Sequence, residues 1–133
     1  MALSYWCVLL ACLLPIVPAG VAKWGTFSRS VREGGFDNED PRAWLARQSG
    51  RRARANAAQA NSFEALPLFI AAVLTAQQLQ VQQELIDGLA LAFVLLRVVY
   101  ILLYVTNRAA SRTLVWSAGL AVSIALMVSP MWA

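Results

Sequence analysis

The sequence predicts an all-α integral membrane protein, a four-helix bundle of up-down topology. Three observations carry this: four apolar stretches of about membrane length, charges bunched between them, and a mean hydropathy of +0.59. Apolar residues make up 59% of the chain and charged ones 14%, against roughly 45–50% apolar in soluble domains. A length of 133 residues fits one domain.

The first stretch runs from about Leu3 to Ala22. It has no Lys or Arg before Lys23, so the basic flank of a cleaved signal peptide is missing. About twenty residues span a hydrocarbon core of roughly 30 Å. The stretch is therefore read as a retained helix, kinked near Pro15 and Pro18. Cys7 and Cys12, both inside it, match neither a zinc spacing nor a CxxC redox pair and read as small packing residues.

A polar, basic loop follows, residues 23–56. Asp40 is placed to cap a short helix beginning at Pro41. The cluster Arg51, Arg52, Arg54 begins the second long helix below the membrane surface. The second span is expected from about Ala57 to Gln77, the third from Leu85 to Val105, and the fourth from Leu114 to Trp132. Short links around 80–84 and 107–112 make consecutive spans antiparallel hairpins.

Of the eleven basic residues, eight lie between Lys23 and Arg54, none in the second link, and Arg108 and Arg112 in the third. Basic loops face the cytoplasm, which puts the first and third loops there and both termini on the non-cytoplasmic side. Trp6 and Trp132 then fall near one interface, Trp24 and Trp116 near the other. The net charge of +4 thereby reflects topology and anionic lipid; no nucleic-acid partner is expected. With no histidine in the chain, serine–histidine triads, HExxH zinc sites and histidine acid–base chemistry are excluded. No metal site is expected.

Polar groups at membrane depth are costly and need a reason. Asn61 and Glu64 share one face of the second span, and Arg97, Tyr100 and Tyr104 share one face of the third, with Arg108 extending that stripe. From helix rise, Glu64 and Arg97 lie roughly 10 Å and 12 Å from the loop end, at one level on antiparallel neighbours. Pairing of the two is expected, within the chain or across a subunit interface. Such a pair could simply bind a bundle together. Alternatively it could line a polar cavity in which Arg97, Arg54 and Arg112 offer positive charge to an anion, since the guanidinium fork suits carboxylates. Gly119 and Ser123 read as a small-residue packing step, and Pro67 as a bend in the second span.

The stretch from Arg54 through Asn61, Glu64 and Pro67 to Phe69 resembles the second-helix signature of the MAPEG family, the membrane-associated proteins of eicosanoid and glutathione metabolism. Arg97-Val98-Val99-Tyr100 followed by Tyr104 resembles its third-helix motif, and Asn38-Glu39-Asp40-Pro41-Arg42 resembles the loop of bacterial members. The resemblance covers nearly the whole chain. It implies a homotrimer of four-helix subunits, in a bacterial inner membrane, with glutathione bound between subunits as co-substrate. By position it implies that Asn61 and Glu64 contact the glutathione backbone and that Arg54 stands near its entrance. Arg97, Tyr100 and Tyr104 would line the site, and Arg112 would be the arginine that stabilises the thiolate. The implied activity is transfer to, or peroxidase action on, a lipophilic small molecule arriving from the bilayer. The chain departs from the pattern at Ala57, where well-studied members carry an arginine, and at Ser111, one residue before Arg112, where the catalytic arginine would fall. A non-catalytic MAPEG-fold protein binding another anion, lipid or protein is the alternative. A small four-helix transporter fits less well with the long basic loop.

Overall fold

A computed structural model describes residues 1–133. The chain is all-α: α1 (Leu3–Leu13), α2 (Ile16–Lys23), α3 (Pro41–Ala46), α4 (Gly50–Glu64), α5 (Leu66–Gln78), α6 (Gln83–Val105), α7 (Ala109–Met127) and α8 (Ser129–Trp132). These combine into four segments long and apolar enough to cross a bilayer, Leu3–Lys23, Gly50–Gln78, Gln83–Val105 and Ala109–Met127. Both termini and the 79–82 turn gather at one end, the terminal end. The 24–49 loop and the 106–108 turn form the other, the loop end.

Proline explains why the spans are broken where they are. Pro15 separates α1 from α2, Pro67 stands in the first turn of α5, and Pro130 in the first turn of α8. Each lacks the N–H that would bond four residues back, so the ladder lapses there and the chain bends. The longest helix, α6, has no proline and runs unbroken for 23 residues. This straight helix is the centre of the bundle, packed against α1, α4, α5 and α7. The helices α4 and α7 begin at Gly50 and Ala109, earlier than the apolar stretches at Ala57 and Leu114. Hydropathy marks only the lipid-facing part of a helix, whereas hydrogen bonding carries it on into water.

Two arginines finish other helices. Arg52 Nη1 donates to the carbonyls of Ala22 and Trp24, at 3.1 and 2.7 Å, where α2 ends. Arg54 Nε donates to the Val105 carbonyl, at 3.2 Å, where α6 ends. In both cases a cation meets the orphan carbonyls and the negative pole of a helix C-terminus.

The long loop is itself folded. Asp40 caps α3 by accepting from Ala43 N–H, with Pro41 at the first helical position. Trp44 is buried and donates its indole N–H to the Gly34 carbonyl, at 3.3 Å. It meets Phe36 edge-on, and Phe36 meets Phe27 in the same way. Gly35 packs so close to the Arg29 carbonyl that a Cβ there would lie inside van der Waals contact.

Candidate functional site

The core divides the bundle unevenly. Cys7, Ala11, Phe69, Ala72, Val73, Ala76, Ile86, Ala90, Phe93, Val94 and Leu126 form one buried apolar cluster, placed toward the terminal end. Beyond Phe93, toward the loop end, the interior of α4, α6 and α7 turns polar.

Arg97 is 5% exposed. Its Nη2 donates to Ser62 Oγ at 3.1 Å, and Ser62 in turn donates to the Ala58 carbonyl. The Arg97 guanidinium lies 4.2 Å from the centroid of the Tyr100 ring. Tyr100 meets Tyr104 edge-on at 5.7 Å. The guanidinium of Arg112, from α7, lies 4.2 Å from the centroid of Tyr104. A ladder results, arginine–tyrosine–tyrosine–arginine, climbing one face of α6 and crossing to α7. Its spacing follows from 3.6 residues per turn, which stacks positions 97, 100 and 104. Each cation rests on the negative face of a ring, an arrangement that stabilises a charge deprived of water.

Two adjoining cavities border this ladder. The outer one, about 220 Å³, is lined by Asn61, Tyr100, Tyr104, Arg112, Thr113 and Trp116. The inner one, about 180 Å³, shares Asn61 and Trp116 and adds Glu64 and Arg97, with apolar walls from Leu68, Phe93 and Leu120. Asn61 Oδ1 is buried without a hydrogen-bond partner, leaving an acceptor turned to the site. The cavities thus offer cationic donors, an amide acceptor and a carboxylate at one end, and a greasy wall at the other. That set suits a molecule part anion and part lipophile.

Six residues singled out from the sequence, Asn61, Glu64, Arg97, Tyr100, Tyr104 and Arg112, are brought to these walls. Arg54 is not; its guanidinium caps α6. The expected Glu64–Arg97 ion pair is not formed within the chain. Arg97 is bound instead to Ser62 and Tyr100, while Glu64 is exposed at the cavity rim. The reason is angular: Ser62 points into the bundle from α4, and a residue two further along is turned some 200° away at about 100° per residue. Of Ser111 and Arg112, only Arg112 faces the tyrosines; Ser111 is exposed and lines neither cavity. Sequence reasoning assigned Trp116 to an interfacial belt, yet it lines both cavities. The signal was present: Arg112, Trp116, Gly119 and Ser123 recur at helical spacing on one face of α7.

With this geometry in place, the family can be decided. The MAPEG family matches residues 3–132. The chain belongs to the MAPEG family. No curated protein and no solved structure matches it. As a MAPEG protein it is an integral membrane four-helix bundle of a family associated with glutathione and eicosanoid metabolism.

Proposed function

We propose that this MAPEG protein is a membrane-bound, glutathione-dependent transferase or peroxidase for lipophilic electrophiles. The observation that carries the reading is the Arg97–Tyr100–Tyr104–Arg112 ladder beside a cavity that is polar at one end and apolar at the other. In this reading glutathione lies along the ladder. Arg97 meets its carboxylates, and Asn61 Oδ1 and Glu64 accept from its N–H groups. Arg112, nearest the polar end of α7, sits beside the sulfur and favours the thiolate, the nucleophilic form of a thiol. Thiolate attack on a carbon electrophile forms the S–C bond as the leaving group departs with its electron pair, and the thiol proton passes to solvent. With a hydroperoxide, two thiols are oxidised to a disulfide while the O–O bond is reduced to an alcohol and water.

The same reading makes the protein a homotrimer, which would cover the exposed Glu64 and complete the site with a neighbouring subunit. It places the basic loop end on the cytoplasmic side of a bacterial inner membrane, where soluble glutathione can reach Arg112. Lipophilic substrates would arrive from the bilayer past Trp116 and Leu120. Arg54 would act near the entrance only through the end of α6 that it holds.

Calorimetric titration of the purified oligomer with glutathione tests this. Saturable binding that is lost in Arg97→Met supports it; no binding at millimolar glutathione overturns it. Ala57 favours a second reading, since the family's additional arginine is missing there: a MAPEG-fold protein that binds another anion without turnover. Binding without conjugation or peroxide reduction, across a panel of electrophiles, would select that reading.

A further inference from the structure

The inner cavity holds a feature that the ladder does not use. Ser123 on α7 is 2% exposed and lines the cavity wall, yet its Oγ has no hydrogen-bond partner. A buried helical serine can satisfy itself cheaply by donating to the carbonyl four residues back. Ser62, Thr106, Thr113 and Ser117 all do so in this protein, the last two on the same helix as Ser123. Ser123 makes no such bond. A hydroxyl buried without a partner is costly, and the cost is recovered by whatever supplies one.

The neighbours define the chemistry of that partner. The cavity that Ser123 lines has Leu68, Phe93, Gly119 and Leu120 in its wall, together with the ionic groups Glu64 and Arg97. Gly119 carries no side chain to fill the space one turn away. The level of Ser123 follows from the α6–α7 hairpin. Arg97 is eight residues before Val105, and eight residues after Ala109 is Ser117. Ser123 therefore lies six residues deeper than Arg97, or roughly 9 Å. A hydrocarbon would leave the hydroxyl unpaired. A second charge is not called for, because no ionic group is at that depth.

We infer that Ser123 is a specificity-determining residue that hydrogen-bonds an oxygen function, such as a carbonyl or hydroxyl, carried on a lipophilic ligand roughly 9 Å deeper in the bundle than Arg97. This deepens the proposed function and rests on its reading, with the apolar end of the cavity taken as the place of the lipophilic substrate. The substrates are then oxygenated amphiphiles rather than plain alkyl or aryl compounds.

Equilibrium partition into protein-loaded nanodiscs, corrected with protein-free nanodiscs, tests the inference with a mid-chain decanone and n-decane as probes. Wild type should bind the ketone about tenfold better than the alkane, as one hydrogen bond supplies. Ser123→Ala should remove that preference by weakening the ketone alone, and Ser123→Thr, which restores the hydroxyl, should recover most of it. Equal binding of both probes by wild type overturns the inference. So does a Ser123→Ala variant that weakens both probes alike, the mark of a packing role, or one that leaves the ketone preference intact. Titration of the same samples with glutathione separates the two readings. Glutathione binding without a ketone preference sinks only the role of Ser123; a Ser123-dependent preference without glutathione binding sinks the proposed activity and leaves the subsite.

Discussion

The two halves of this bundle are made from the same four spans but solve different problems. Toward the terminal end, Phe69 and Phe93 stack at 3.9 Å with their planes 11° apart, and small residues such as Cys7, Ala11, Ala76 and Ala90 let the helices close on them. Polar groups there are tied off: Ser4 N–H donates to Asp87, Gln83 donates to the same oxygen, and Gln77 donates to Ser4 Oγ. Toward the loop end lie two cavities, the inner of which reaches past Phe93; Asn61 Oδ1 and, at that deep end, Ser123 Oγ go without partners. One half satisfies itself; the other is left to be satisfied by a ligand. Phe93 is the boundary, since it both stacks on Phe69 and lines the inner cavity.

The largest expected effect breaks the tight half. Phe69→Ala should cost about 3–5 kcal/mol, because the cavity left beside Phe93 cannot collapse fully. Unfolding in detergent would read it, and protein still folded at low temperature should bind glutathione normally. An unchanged unfolding midpoint would mean that the stacked pair is not what holds this half. Next comes the open half. Arg97→Met should weaken glutathione roughly a hundredfold, as loss of charge-assisted bonds does, while the unfolding midpoint moves little. Arg97 has only neutral partners in the chain, so its removal leaves no buried counter-charge stranded. Arg112→Ala should leave glutathione affinity within a few-fold and lower kcat by roughly a hundredfold, the scale set by removing one donor from a developing negative charge. Equal loss of affinity in both variants would erase the distinction between binding and thiolate stabilisation.

Much of this was written in the sequence at the level of periodicity. Spans, prolines and the stripe of Arg97, Tyr100 and Tyr104 are local patterns with a period of 3.6 residues, and the structure keeps them on one face. What sequence reasoning missed depends on which face of one helix meets which face of another. Complementary charge suggested Glu64 for Arg97, but the rotation of α4 presents Ser62. A free arginine suggested a ligand for Arg54, but the end of α6 is within its reach. Ser123 read as packing because a small residue on an apolar helix usually packs; its unpaired hydroxyl is visible only once the cavity is. The fold of the loop around Trp44 was out of reach for another reason, since contacts among Phe27, Phe36 and Trp44 depend on turns that only a three-dimensional chain path defines.

The smallest effect gives the sharpest test of the division. Asp87 sits near the start of α6 and accepts from Ser4 N–H at 2.9 Å and from Gln83 at 2.8 Å, fixing the first turn of α1 to α6. A carboxylate facing the exposed N–H groups of a helix start also meets that helix's positive pole. Asp87→Ala should therefore cost about 1 kcal/mol, read as a small drop in the unfolding midpoint. Because α6 continues without a break to Arg97 and Tyr100, it offers a direct route for coupling between the two halves. If the halves are independent, glutathione affinity will be unchanged in Asp87→Ala. A tenfold change in affinity at so small a cost in stability would show instead that docking of α1 sets the position of the ladder, and the terminal half would have to be counted as part of the site.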